Sequence, residues 1–335
     1  MKTRLFKDIE VSAVGLGCMG FTHAYGEGPE EAEGIRLVHY AFDKGCFLFD
    51  TAEMYSTFKN EEFVGKAIRE LPRDRIIISD KFWPQPLGGQ EFPEGKLSEA
   101  GIRRDLEGSL KRLGTDYIDL YLEHVIDDAS IEDVAETMGK LIREGKIRGW
   151  GLSSPSLEQL KRADAVTPVT VVQSEFSMME RKWEGDVLPY CAEHGIGFEA
   201  FAPMGNGFLS GKYTASSTFA ETDLRTKITR FSAENMKANQ PLLDLIAQVA
   251  AEKGCTSGQI ALAWILASGD TIVPIPGMRK ETRIDENLGA ASVELSAEEY
   301  RKLTEALGKI EIHGDRAGKD IAKLAAVPTN AIPEH

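Results

Sequence analysis

Positive charge is in short supply in this chain of 335 residues. Lysine and arginine number 39 against 53 aspartates and glutamates, a formal net charge of −14. Nucleic acid and anionic membranes both select a basic face, so neither is expected as a partner. No apolar run approaches the length that crosses a bilayer. Met1 to Glu10 carries charges and lacks the apolar core of a signal peptide, which points to a cytoplasmic protein. Cysteine is scarce as well. Cys18, Cys46, Cys191 and Cys255 lie far apart with no metal-ligand spacing. They read as reduced thiols, with a disulfide as the lesser alternative, and no metal is expected. No linker-like or low-complexity stretch interrupts the middle of the chain, which favours one domain.

What the chain does have is alternation. Short β-branched or aromatic runs alternate with amphipathic stretches, punctuated by turn residues. Val14–Gly17, Cys46–Phe49, Arg75–Ser79, Tyr117–Leu122, Gly149–Leu152, Val169–Gln173, Gly197–Ala200 and Thr271–Pro274 read as strands. Three consecutive isoleucines, Ile76 to Ile78, mark a strand buried on both faces. Between these runs lie helical patterns such as Glu30–Lys44, Leu97–Leu113 and Ile131–Glu144, ended by Gly45, Gly114 and Gly145. Ser257–Ala267 and Ala297–Leu307, the latter capped by Ser296, close the series. About eight strand–helix units predict an α/β fold, a single-domain (β/α)8 TIM barrel over 1–310 with a tail over 311–335. The long polar segment Lys212–Ala238 is expected to be a functional loop.

Gly15-Leu16-Gly17-Cys18-Met19-Gly20 matches G-x-G-x-x-G. A dinucleotide fold of that type opens a helix at once, so that the helix N-terminus meets the pyrophosphate. Here Phe21 to Pro29 is loop and the next helical pattern begins near Glu30, so the match is set aside.

Polar residues stand where buried strands end. Phe47-Leu48-Phe49 runs into Asp50, the isoleucine strand into Lys81, and Tyr121-Leu122-Glu123 into His124, while Tyr55 follows Asp50 by five residues. Strand C-termini of a barrel converge on one mouth, so these four groups are expected to meet. A free phenol has a pKa near 10 and is a sluggish acid. A neighbouring ammonium stabilises the phenolate, a carboxylate keeps that ammonium charged, and an imidazole orients the group being protonated. Each residue alone has an ordinary reading as a cap, a solvent-facing cation, a structural histidine or a loop aromatic. Four at successive strand ends are harder to explain that way.

Asp50-Thr51-Ala52-Glu53-Met54-Tyr55 resembles the D-T-A-x-x-Y-G signature of aldo-keto reductases, and Asn60-Glu61-Glu62-Phe63-Val64-Gly65 its N-E-x-x-x-G continuation. The resemblance runs from Gly15 to about Ala290 and is to the potassium-channel β-subunit and bacterial branch. It implies Asp50, Tyr55, Lys81 and His124 as the catalytic tetrad. Ser56 stands where Gly is usual, and Asp80 where Thr is usual.

The second half supplies a phosphate site. Arg279, Lys280 and Arg283 form a basic cluster in an acidic protein. A helix starting there puts Arg279 and Arg283 on one face with Asn287 a turn on. The bland alternative is a solvated helix face; the functional one is a clamp for the 2′-phosphate of NADP(H), since arginine forks match phosphate. The run Ile275-Pro276-Gly277-Met278-Arg279-Lys280 through Arg283, Glu286 and Asn287 resembles the family's cofactor segment. By that match Arg279, Lys280 and Arg283 take the 2′-phosphate, and Glu286 and Asn287 the adenine. The resemblance further assigns Ser153, Ser154 and Gln173 to the nicotinamide amide, and Cys18 and Met19 to its ribose. Phe201 is assigned to stacking on the nicotinamide, and the run Pro203, Met204, Gly205, Gly207 and Leu209 to the pyrophosphate.

The implied activity is NADPH-dependent reduction of an aldehyde or ketone. Phe21, Tyr25, Phe82, Trp83 and Phe231 are expected at the mouth, suiting a small carbonyl substrate with an apolar or aromatic part. A homo-oligomer is compatible with the pattern. Two other readings stand beside it: an NADP-binding regulatory protein with little turnover, like a channel β subunit, and a barrel lyase with Lys81 as Schiff-base nucleophile. Pairing of Lys81 with Asp50 argues against the lyase, whose lysine must become neutral.

Overall fold

The computed structural model describes residues 1–316. It opens with an antiparallel hairpin of β1 (Thr3–Phe6) and β2 (Ile9–Ser12). Eight parallel strands follow: β3 (Leu16–Gly17), β4 (Leu48–Asp50), β5 (Ile77–Phe82), β6 (Ile118–Glu123), β7 (Ile147–Ser153), β8 (Val171–Glu175), β9 (Gly197–Phe201) and β10 (Ile272–Pro274). Each pairs with its neighbours in sequence order. The first and last meet through the parallel bridge of Gly17 with Gly277 and through Gly15 N–H donating to Pro274 O at 3.0 Å. The sheet is thereby closed into the expected (β/α)8 barrel.

The outer ring is α1 (Glu31–Asp43), α2 (Lys59–Ile68), α3 (Glu99–Leu113), α4 (Ile131–Arg143), α5 (Leu157–Val166) and α6 (Val187–His194), then α7 (Ala233–Ala238), α8 (Gln240–Lys253), α9 (Ser257–Ala267), α10 (Glu281–Gly289) and α11 (Ala297–Leu307). Ser296 accepts from Glu299 N–H, and the Glu299 side chain accepts from Ser296 N–H, a capping box that starts α11 where the sequence placed it. The segment 212–238 is not structureless: it holds short 3₁₀ turns and α7.

Alternation along the strands sorts the chemistry. In β5, Ile78 and Phe82 face the helices, while Ile77, Ser79 and Lys81 face the barrel interior. In β9, Phe198 and Ala200 face outward and Glu199 inward. The bottom of the interior is apolar, built from Leu48, Ile77, Leu120, Val171 and Val273. Phe6 of the hairpin seals it, its ring lying where a Cβ on Gly197 would stand. All four cysteines are free thiols, and no described helix is long and apolar enough to cross a membrane. Residues 311–316 run back across 229–239, with His313 N–H on Asn239 Oδ1 at 2.9 Å. The rest of the expected tail, 317–335, lies outside the described residues.

Candidate active site

The turn after β4 carries Tyr55, and its backbone explains the residue types there. Ser56, Thr57 and Phe58 all have positive φ, of 49°, 45° and 74°. Position 56 thus lies in the left-handed region that favours glycine. Serine is held there by its hydroxyl, which donates to Thr22 O at 2.6 Å. Asn60 ties this turn to the preceding loop. Its Nδ2 donates to Cys18 O at 3.0 Å and Thr22 Oγ1 at 2.7 Å, while its Oδ1 accepts from Thr51 Oγ1 at 2.7 Å.

Four expected groups come together at the C-terminal mouth. Lys81 Nζ is fully buried, donating to Asp50 Oδ2 and, at 2.6 Å, to Thr51 O. It lies 5.2 Å from the centre of the Tyr55 ring. The Tyr55 and His124 rings meet edge to face with centres 5.7 Å apart. Trp83 packs on the same imidazole at 5.2 Å.

Burial opposes ionisation at Tyr55, Lys81 and His124. It pushes the Tyr55 phenol up to about 12, against the pull of Lys81 in the other direction. The expected lowering by Lys81 is therefore present, and desolvation outweighs it. At Lys81, burial works to lower the pKa, but Asp50 and Tyr55 more than offset it and the ammonium is held above its ordinary value. Burial, then Lys81 and Arg316, drive His124 well below its ordinary value, so the imidazole is neutral. Its Nδ1 has no hydrogen-bond partner among the described residues.

Asp80, which stands where Thr is usual, points to the other side of β5. It is buried between the barrel and the α2–α3 layer, near Glu61 and Arg112. Two expected mouth residues are also elsewhere: Phe82 packs outward on Tyr121, and Phe21 stacks on Phe63 of α2. Period-two alternation puts Phe82 on the face opposite Lys81. Phe231 sits in an aromatic cluster with Phe208, Tyr213 and Phe219.

The residues assigned to a dinucleotide line an arc from β7 to α10. Ser153 ends β7, and Ser154, with φ of 56°, donates its N–H to Gln173 O at 2.9 Å. Position 154 thus lies in the left-handed region, which a residue other than glycine seldom adopts. Past Phe201, Gly205, Asn206 and Gly207 all have positive φ, which gives the Pro203–Leu209 turn an open backbone. Gly258 brings two of the segments together: a Cβ there would stand 3.0 Å from Met204 Cε and 3.4 Å from Glu286 Oε1. Cys18 is buried, its N–H on Asp50 O at 2.8 Å, and Met19 starts a 3₁₀ turn. Ile275 N–H donates to Ala200 O at 3.0 Å, and Gly277 bridges to Gly17.

One expectation about the basic cluster is corrected. Arg279 is not on the helix with Arg283, because α10 begins at Glu281 with Lys280 as its N-cap. Arg279 instead donates to Glu27 O at 3.1 Å and Gly20 O at 3.4 Å, and Arg283 pairs with Glu286. Lys280 is exposed, and Asn287 is buried on the inner side of α10. The three cations still lie within one turn of a helix N-terminus, the end that attracts anions. An open glycine turn and basic groups at a helix start fit a phosphate-bearing cofactor.

Reading from sequence missed Glu199. It is fully buried inside the barrel and accepts from Ser79 Oγ at 3.0 Å and Gln173 Nε2 at 2.6 Å. Burial, then Asp50, push its carboxyl up to about 7. The available signal was a lone charge inside the apolar run Gly197-Phe198-Glu199-Ala200-Phe201.

The chain matches the aldo/keto reductase family model over residues 13–307. It is 40% identical over 310 residues to a probable aldo-keto reductase 1 of Glycine max, covering 92% of this chain and 88% of that protein. Among solved structures it is similar to a glycerol dehydrogenase from Gluconobacter oxydans, with TM-score 0.83, 29% identity, and 93% and 96% of the two chains covered. It is also similar to an aldo/keto reductase from Klebsiella pneumoniae in complex with NADP and acetate, with TM-score 0.70, 28% identity, and coverage of 95% and 99%. With its closed barrel and a mouth that brings Tyr55, Lys81, Asp50 and His124 together, this chain belongs to the aldo/keto reductase family.

Proposed function

We propose that this enzyme reduces an aldehyde or ketone to the alcohol, with Tyr55 as proton donor. It is an oxidoreductase, and its cofactor is NADP(H). The observation that carries the assignment of Tyr55 is the buried ion pair of Lys81 with Asp50 beneath its ring. Bound NADPH supplies the hydride that reduces the carbonyl carbon.

Everything else falls to the chain's own groups. The phenol of Tyr55, protonated at neutral pH, gives its proton to the carbonyl oxygen. The Lys81 ammonium then stabilises the phenolate left behind, and Asp50 keeps that ammonium charged. Neutral His124 holds the carbonyl oxygen next to the phenol. Trp83 walls the mouth beside His124 and excludes water.

For the cofactor, Arg279, Lys280 and Arg283 receive the 2′-phosphate, and Glu286 with Asn287 the adenine. The open turn from Pro203 to Leu209 receives the pyrophosphate, with Ile275 and Gly277 beside it. Phe201, Gln173, Ser153 and Ser154 hold the nicotinamide end, with Cys18 and Met19 at its ribose. A Schiff-base role for Lys81 runs against its charge state, since its partners hold the proton on.

Tyr55→Phe removes only the phenolic oxygen. It is expected to bind NADPH as the parent does and to lose carbonyl reduction by about 10²- to 10⁴-fold. Fluorescence titration with NADPH and steady-state rates with a panel of aldehydes measure both. Near-parental turnover would refute Tyr55 as the donor, and no cofactor oxidation with any carbonyl by the parent enzyme would favour a regulatory binding role.

A further inference from the structure

Glu199 is a carboxylate in the centre of a barrel, where an aliphatic side chain would fill the space at lower cost. Among the described residues no cation pairs with it directly, and its Oε1 has no hydrogen-bond partner. Its contacts are Ser79 Oγ, which reaches it from β5, and Gln173, set beside it by the β8–β9 register. Gln173 Nε2 donates at once to Glu199 Oε2 at 2.6 Å and to Asp50 Oδ2 at 2.8 Å.

A glutamine amide has a donor end and an acceptor end of nearly the same shape, so only its neighbours choose between them. Both groups at this end present acceptor oxygens: Asp50 Oδ2 is paired with the Lys81 ammonium, and Glu199 takes the amide on Oε2, which still accepts when a proton sits on the unpartnered Oε1. Turning the amide over would press its carbonyl oxygen against the Asp50 carboxylate and Glu199 Oε2 and forfeit both hydrogen bonds. Asp50 alone holds the amide less firmly, because the same Oδ2 also takes the Lys81 ammonium.

We infer that Glu199 is a positioning residue for the cofactor: with Asp50 it clamps the Gln173 nitrogen inward, leaving the Gln173 carbonyl oxygen as the acceptor for the N–H of the nicotinamide carboxamide. This rests on the proposed contact of Gln173 with that carboxamide. Glu199 acts only through Gln173. Its removal weakens recognition of the carboxamide and leaves the phosphate contacts as they are.

The test compares binding of NADPH with that of its 3-acetylpyridine analogue, which lacks the carboxamide N–H. Glu199→Leu is expected to weaken NADPH about tenfold, the worth of one hydrogen bond, and to leave the analogue nearly unchanged. Glu199→Gln, whose amide oxygen still accepts from Gln173, restores NADPH affinity. Gln173→Leu weakens NADPH by itself, and adding Glu199→Leu to it costs nothing more. Glu199→Ala, which adds no bulk, takes the place of Glu199→Leu should that variant not fold.

If Gln173→Leu weakens NADPH and Glu199→Leu does not, Glu199 has no positioning role. Additive losses in the double variant, or equal losses for Glu199→Gln and Glu199→Leu, overturn it likewise. If Gln173→Leu leaves the preference for NADPH over the analogue untouched, the contact of Gln173 itself is wrong, and the inference falls with it.

Discussion

Tyr55, in the turn after β4, and Glu123, at the end of β6, are both buried, and at both burial sets the proton's hold. Tyr55 and its lysine were legible from sequence because each ends or follows a strand. Which way the phenol is shifted was not legible, since it depends on how much water the fold removes. Glu123 ends β6, and its Oε1 accepts from Asp127 N–H at 3.1 Å. Burial chiefly raises its carboxyl from the ordinary 4.5 to about 8. The folded chain thus binds an extra proton between those values. The stability this contributes is fully present below 4.5 and is lost as pH rises through about 8, by at most ~1.4 kcal/mol per pH unit. Glu123→Gln is expected to gain on the parent protein between about pH 5 and pH 8 in urea melts, and a constant difference would refute the shift. Arg279, bound to Gly20 O and Glu27 O, retains N–H groups for a phosphate. Arg279→Ala is expected to weaken NADPH by about 10- to 100-fold with little change for NADH. Equal loss of both would sink the 2′-phosphate clamp.

Elements were legible where periodicity and caps agreed. Ser257–Ala267 and Ala297–Leu307 have the bounds the sequence implies, each opened by a capping box. The basic cluster was misjudged because spacing of four fits a helix, while Gly277 is held in a bridge to Gly17 and the helix starts only at Glu281. Close packing between elements was not legible either. Gly65 lies on the face of α2 that meets the end of α3, and a Cβ there would stand 2.8 Å from Leu113 O and closer still to Arg112 O. Alanine is the better helix former by about 1 kcal/mol, yet Gly65→Ala is expected to destabilise by ~1–3 kcal/mol through this clash. A thermal melt at or above that of the parent would show that the two helices part without cost.

At the scale of the whole molecule, the hairpin β1–β2 closes the end of the barrel remote from the site. Phe6→Ala opens space under Val171 and Val273 and is expected to cost about 3–5 kcal/mol while leaving KM for NADPH unchanged. A raised KM would mean that the plug and the mouth are coupled. The sequence by itself determined the alternation of strand and helix, the barrel that follows from it, and the four polar groups at strand ends. Those are local patterns, each written within a few residues. Only the tertiary structure decided that Phe82 turns away while Lys81 turns inward, that Arg279 binds a loop, and that Glu199 and Asp50 share one glutamine. Asp50 and Glu199 are 149 residues apart in sequence by position. They become neighbours only when the sheet curls and closes, and their electrostatics exist only once the barrel has excluded water.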